Sequence, residues 1–330
     1  MRLLNKISQL PNKKRQWISI SISVFIAGLL TLWGIYGIGE YGVAIFIITP
    51  FFLGICPVII YGYKNNMELI KSRELGFVSL TFFMLCLLIF AIEGVICIAM
   101  ALPIGLFFTW LGSLLAFHIV KKKNGNGPTL IVVLTLIIPG FSFIENRVDS
   151  KLNSVTTSIE IKASPETVWK NVIEFPQLKK PTEFIFKTGI AYPINAKIKG
   201  TGVGAIRYCN FTTGSFVEPI TKWEEPRLLT FDVEEQPAPM KEMSFWDINA
   251  PHLHDYFVSK KGQFKLVKLK NGNTKLIGTT WYYNEIKPNF YWNIWSDNII
   301  HKIHERVLNH IKLTSEKGIS KDTQDKNLTQ

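Results

Sequence analysis

PNFYWNIWSDNIIHKIHERVLNHIKLTSEKG, residues 288–318, reads as a single long helix. Lys287-Pro288 closes whatever precedes it, Asn289 is a good N-cap, and Gly318 stands where a helix-terminating residue belongs. At a helical rise it spans roughly 40 Å, long enough to lie across a whole sheet. At a period of 3.6 residues, Trp292, Trp295, Ile299, Ile303 and Val307 share one face. Asp297, His301 and His304 form a polar stripe that this projection turns away from that face. A helix with heavy aromatics on one side needs a large concave apolar surface to lie against, and the preceding chain has to supply it.

It does so through a change of periodicity. Residues 155–162, VTTSIEIK, alternate as a strand, and Ala163-Ser164-Pro165-Glu166 opens a helix with Ser164 as N-cap and Pro165 at its first position. Six strand-like segments follow, at 194–199, 203–211, 215–223, 228–234, 256–269 and 274–286. Glycines at 200, 202 and 214, Glu225-Pro226 and Asn271-Gly272-Asn273 separate them, the last being a strong hairpin signal. Strand, helix, meander and terminal helix make an α+β domain over 155–317, with a curved antiparallel sheet around the long helix.

The first half is of another kind. Hydrophobic residues make up 47% of the chain and the mean hydropathy is +0.18, high for a soluble protein. Five apolar runs, at 17–38, 41–63, 76–98, 102–120 and 129–144, approach the ~20 residues of a membrane-spanning helix. The first lacks a cleavage site and is followed at once by another run, so it is not a removable signal. Basic residues fall in the tail 1–16, around Lys64, Lys71 and Arg73, and at Lys121, Lys122 and Lys123, whereas the connections at 39–40 and 101–103 have none. That distribution predicts a cytoplasmic N-terminus and, with the fifth run spanning, a linker at 145–154 and a C-terminal domain outside the cytoplasm; that run is short and carries Pro139-Gly140, and if it only lies in the interface the domain stays cytoplasmic. Residues 318–330 form a polar tail expected to be disordered. Glu93 falls inside the third run, where a carboxylate is costly: it is either a proton or ion site or, the preferred reading with no second intramembrane charge to pair with, a group near the outer end of a helix, within reach of headgroups.

The net charge of +12 divides evenly, with 12 Lys/Arg against 6 Asp/Glu in residues 1–150 and 25 against 19 in the remainder. No basic domain emerges, which argues against a nucleic-acid partner. Cys56, Cys86 and Cys97 lie in apolar runs and leave Cys209 without a disulfide partner in the second half.

The segment SIEIKASPETVWKNVIEFPQL resembles the opening of the START-like, or SRPBCC, superfamily. Its pattern is a strand, a small-residue-Pro helix start and a Val-Trp pair. RYCNFTTGSFVEPITKW, PHLHDYFVSKKGQF, GTTWYYNEI and YWNIWSDNIIHKIHERVLNHI further resemble a group of bacterial membrane-anchored SRPBCC proteins of unassigned function. The resemblance implies a helix-grip fold with a hydrophobic-ligand cavity. It fixes no activity, since the superfamily includes lipid-transfer domains, polyketide cyclases and hydroxylase subunits.

The candidate cavity residues are Arg207, Cys209, Trp281, Tyr282, Trp292, Trp295, Ile299 and Ile303. Arg207 faces either an anionic head group in the cavity, with Glu218 as partner, or solvent on the convex side. His252, His254, Asp255 and Glu218 are the acid/base candidates should the domain be an enzyme of cyclase/dehydrase or hydrolase type. The metal alternative is Asp297, His301 and His304, weakened because Asp297 and His301 also form an ordinary i,i+4 pair and no thiolate completes the set. Gly200-Thr201-Gly202-Val203-Gly204 mimics a phosphate loop but precedes a strand, so it reads as a hairpin turn. Residues 236–254, with Pro237, Pro239, Phe245 and Trp246, are long for a connection and suggest a lid. The expected partners are membrane lipids and a hydrophobic small molecule, with no cofactor. An envelope scaffold is the remaining alternative.

Overall fold

The computed structural model describes residues 2–39, 41–122, 127–145, 150–243, 246, 248, 250–254 and 256–327. The backbone divides into two compact units. The helical unit comprises Met1–Asp149 with two later segments, Glu242–His252 and Ile286–Pro288. Ser150–Lys241, Leu253–Glu285 and Asn289–Gln330 make up the other.

The helical unit contains α1 (Arg2–Ser8), α2 (Asn12–Leu32, extended by a π-helical turn to Ile38), α3 (Thr49–Gly62), α4 (Leu69–Ile89), α5 (Val95–Lys121) and α6 (Gly127–Glu145). Among the described residues four helical segments, Asn12–Ile38, Ala44–Gly62, Leu69–Ile89 and Val95–Lys121, are long and apolar enough to cross a membrane. The fifth expected span corresponds to a shorter apolar stretch, Gly127–Phe141. The third and fourth runs are divided differently from expectation. Pro103 sits within α5 instead of ending a helix, because its neighbours continue the helical ladder around it. The chain turns earlier, over residues 90–94, where Ala91 takes a φ of 53° and the amides of Ile92 and Glu93 both donate to Leu87 O. Glu93 is therefore in a turn between helices, and not within one.

Helices α3 and α5 approach through small residues. A Cβ on Gly54 would lie 2.3 Å from Thr109 O, and one on Gly112 would lie 2.3 Å from Phe51 O. Thr109 Oγ1 donates to Pro50 O across the same contact at 3.0 Å.

In the second unit β1 (Asn153–Ile161) leads into α7 (Pro165–Ile173) and a single turn, α8 (Phe184–Lys187). The meander follows as β2 (Pro193–Lys199), β3 (Ile206–Phe211), β4 (Gly214–Glu224), β5 (Leu228–Asp232), β6 (Phe257–Lys268) and β7 (Thr274–Asn284). All seven strands form one sheet in the order β1-β7-β6-β5-β4-β3-β2, and every pairing is antiparallel. Gly200, Gly202 and Gly204, all at positive φ, make the β2–β3 turn, and a strand follows them as expected. Gly272, at φ 82°, makes the β6–β7 turn.

The terminal helix α9 runs from Asn289 to Asn327. Gly318 does not end it, since one glycine costs a helix only about 1 kcal/mol and does not by itself stop the ladder. Asn289 is its first residue and not its cap, its side-chain amide donating to Asn284 O at 2.7 Å. The core joins Ile161 from β1, Val168, Trp169 and Val172 from α7, Leu229, Leu266 and Leu276 from the sheet, and Val307, Leu308 and Ile311 from α9. Apart from Trp292 near its start and Ser315 further on, the buried stripe of α9 is Ile300, Val307, Leu308 and Ile311, spaced 7, 1 and 3 residues apart. Relative to the expected Trp292-Trp295-Ile299-Ile303-Val307 face it is rotated by about one residue, or about 100°.

Candidate functional site

Between α9 and the concave side of the sheet lies a cavity of about 120 Å³. Its wall is mostly apolar: Phe211, Phe216, Phe231, Phe257 and Phe264 from the strands, and Ile300, Ile303, Val307 and Leu308 from the helix. Polar side chains interrupt it, among them Ser259, Lys261, Gln263, Thr279 and Thr280, and two features matter for its chemistry.

The first is Arg207 on β3, in register with Glu218 on β4. They form an ion pair with both side chains almost wholly buried. Arg207 Nε also donates to Ile173 O at 3.2 Å, and the guanidinium lies 5.4–5.7 Å from the ring centroids of Phe175, Phe231 and Phe264. Burial pushes the Glu218 carboxyl up, against the pull of the guanidinium beside it. Arg207 therefore faces inward, with its charge already balanced by Glu218. Cys209, two residues along on the same face, is buried, and desolvation pushes its thiol up to about 12. At that value it is inert as a nucleophile.

The second is His304. Its Nδ1 is 3.1 Å from Thr157 Oγ1 and its Nε2 is 2.8 Å from Thr280 Oγ1, so both ring nitrogens engage sheet hydroxyls. Burial, with His301 nearby, lowers its pKa to about 4, which leaves the imidazole neutral at physiological pH. The expected polar stripe thus faces the sheet at this point. His301 Nδ1 meets Thr157 Oγ1 at 2.8 Å and its Nε2 is 3.3 Å from Glu305. Asp297 accepts a 2.5 Å bond from Tyr282 Oη. His301 and His304 thus meet at Thr157 Oγ1, whereas Asp297 is engaged by Tyr282.

Among the sequence candidates, Arg207, Cys209, Glu218 and Ile303 line the cavity, together with His304, which the projection had turned away, and Ile300, which was not among them. Trp281, Tyr282, Trp292, Trp295 and Ile299 lie outside its lining. Tyr282 belongs to a smaller cluster with Val155 and Ile300, and Trp281 lies 5.8 Å from Lys261 Nζ. Trp292 is buried against Tyr291 in an edge-to-face pair.

His252 is in the helical unit, buried, with its ring 4.8 Å from that of Tyr41. His254 is exposed. Asp255, and Phe245 of the expected lid, lie outside the described residues. Residues 236–254 do not act as one segment, since Glu242–His252 belongs to the helical unit.

Residues 153–249 match the family model described as polyketide cyclase / dehydrase and lipid transport. Among solved structures, the chain is similar to a protein from Nitrosospira multiformis, at 17% identity over 49% of this chain and 94% of that one, with a TM-score of 0.31. It is also similar to truncated norcoclaurine synthase from Thalictrum flavum, at 17% identity over 52% and 96%, TM-score 0.33. The Aha1 dimer from Colwellia psychrerythraea gives 16% identity over 47% and 97%, TM-score 0.26. Among curated proteins no sequence relative was found. With the family match across 153–249 and a curved antiparallel sheet closed on α9, the C-terminal unit has a helix-grip arrangement and is similar to polyketide cyclase / dehydrase and lipid transport domains.

Proposed function

We propose that the helix-grip unit binds a hydrophobic ligand in its cavity and that the apolar helices hold the protein in a membrane. The observation that carries the reading is the cavity itself, about 120 Å³, walled by phenyl rings and aliphatic side chains. Its volume is comparable to the roughly 150 Å³ of an apolar core void that accepts benzene or xenon. It therefore takes one small ring or the end of a chain, and a lipid or isoprenoid enters by one end. The neutral His304, its ring nitrogens engaged by Thr157 and Thr280, adds no charge for such a ligand to desolvate. The matched family's description, which includes lipid transport, is in keeping with this.

The basic residues at 2–15, 64–73 and 121–123 support a cytoplasmic placement of those segments. With α6 crossing as well, the helix-grip unit lies outside. A reporter fused to the C-terminus and active only on the cytoplasmic side would overturn that placement.

Ligand binding is tested on full-length protein in mild detergent. Native mass spectrometry should find a co-purifying apolar molecule, and benzene should raise the Tm of the wild type but not of Ile303→Phe, in which the cavity is filled. Absence of both effects rejects the reading.

A further inference from the structure

The helical unit holds a second cluster that the cavity reading does not use. It gathers side chains from three parts of the chain: Glu93 from the turn before α5, Cys97 from the first turns of α5, and His252 from a 3₁₀ turn about 150 residues later. One donor atom from each lies within 4.8 Å of the other two. Cys97 Sγ is 2.9 Å from His252 Nε2, and Glu93 Oε2 is 3.7 Å from His252 Nδ1. Glu93 is 8% exposed and His252 5%.

A fourth group braces the cluster. Glu242 places its carboxylate at the start of α5, accepting from the backbone N–H groups of Ile96 and Cys97. Its Oε1 also accepts the Cys97 S–H at 2.6 Å. Only glycine at position 94 permits this, because a Cβ there would lie 1.8 Å from Glu242 Oε2.

We propose that Glu93, Cys97 and His252 form a binding site for a divalent transition-metal ion, zinc by preference. Carboxylate oxygen, thiolate sulfur and imidazole nitrogen are the donors zinc takes, and three protein ligands leave one tetrahedral position for a small oxygen donor. Charge argues the same way. Two carboxylates and a thiol drawn together in a buried place are costly by themselves, and burial of like charges is tolerated where a cation compensates it. A divalent ion with one carboxylate, one thiolate and a neutral imidazole sums to zero. As the metal–sulfur bond forms, the S–H bond breaks and its proton leaves through Glu242, which already accepts it. A thiol–imidazole–carboxylate relay for nucleophilic attack has a similar outline. Glu242 beside the sulfur works against it, because a carboxylate there disfavours the free thiolate such a nucleophile needs.

Untagged full-length protein in detergent, stripped with chelator, is titrated with cobalt(II), a spectroscopic stand-in for zinc. The expected result is one ion per chain, a near-ultraviolet sulfur-to-cobalt charge-transfer band, and displacement of that band by zinc. Cys97→Ser should abolish the band, and His252→Ala should weaken binding by tenfold or more, on the order of what lesser perturbations of metal sites cause. No charge-transfer band in the wild type, or a band that persists in Cys97→Ser, overturns the proposal. Should the variants fail to fold, the stripped wild type decides: zinc raises its Tm if the site is real, and an unchanged Tm refutes it.

Discussion

Arg207 on β3 lies directly opposite Glu218 on β4, and their ion pair is buried between three phenyl rings and the cavity. A buried pair is held by mutual need more than by net gain, since each charge has been taken out of water. Removing one partner, as in Arg207→Met or Glu218→Gln, should cost about 3–5 kcal/mol by leaving the other uncompensated. The double variant Arg207→Met/Glu218→Leu should recover most of that loss. Thermal unfolding of the four proteins in detergent checks it, and additive losses in the double variant would show that the two residues are not coupled.

His304 predicts an acid sensitivity. Its pKa is lowered to about 4 in the fold, against about 6.5 in the unfolded chain, so the unfolded state binds the extra proton between those values. Stability from this group is thus full above about pH 6.5 and lost as the pH falls towards 4. Two and a half units correspond to about 3 kcal/mol before discounting for the partial exposure of the ring. His304→Gln should flatten the Tm against pH curve over that range. An unchanged slope would mean that other groups set it.

The fold was legible because its signals are local. The Ser164-Pro165 helix start, the Asn271-Gly272-Asn273 hairpin and the change from apolar runs to alternation each follow from a few neighbouring residues. The facing of α9 was not. Trp292 and Trp295 dominate any projection by size, yet α9 gives the cavity Ile300, Ile303, His304, Val307 and Leu308, of which only Ile303 and Val307 lie on the projected face. His304 reads as surface by polarity alone, because its partners, Thr157 and Thr280, lie 147 and 24 residues away. The Glu93-Cys97-His252 cluster was equally hidden. Its residues fall in an apolar run and in a Pro-rich connection, and spacing along the chain carries no trace of their meeting.

The α3–α5 contact makes a prediction for the helical unit. Gly54→Ala or Gly112→Ala would drive a methyl group to within 2.3 Å of a backbone oxygen on the other helix, and backbone cannot move aside as a side-chain end can. Each should cost about 1–3 kcal/mol or prevent folding. Gly105 on the same helix is the control, because a Cβ there meets nothing nearer than 3.9 Å. Gly105→Ala should be neutral or slightly stabilising through helix propensity. Fluorescence-detected size exclusion after a heating series would separate the three. Equal losses would show that the close approach is not what holds these helices.

Gly262 on β6 stands opposite Phe231 on β5, and the ring of Phe231 lies over it. A Cβ at 262 would be 2.3 Å from Phe231 Cε2 and 2.4 Å from Cζ, so Gly262→Ala must displace the ring, and the ring already lines the cavity. The expected cost is about 1–3 kcal/mol of strain, together with a smaller cavity. Gly278, also in the lining, has its nearest neighbours at 3.7 Å, so Gly278→Ala should be tolerated. Gly262→Ala should therefore lower the Tm and also shrink the benzene-induced rise in Tm, whereas Gly278→Ala should leave the Tm near that of the wild type. Adding Phe231→Leu to Gly262→Ala should restore both readings in part, since the clash goes with the ring. If Gly262→Ala lowers the Tm while the benzene response stays intact, Phe231 has moved away from the cavity, and benzene binding does not depend on its position.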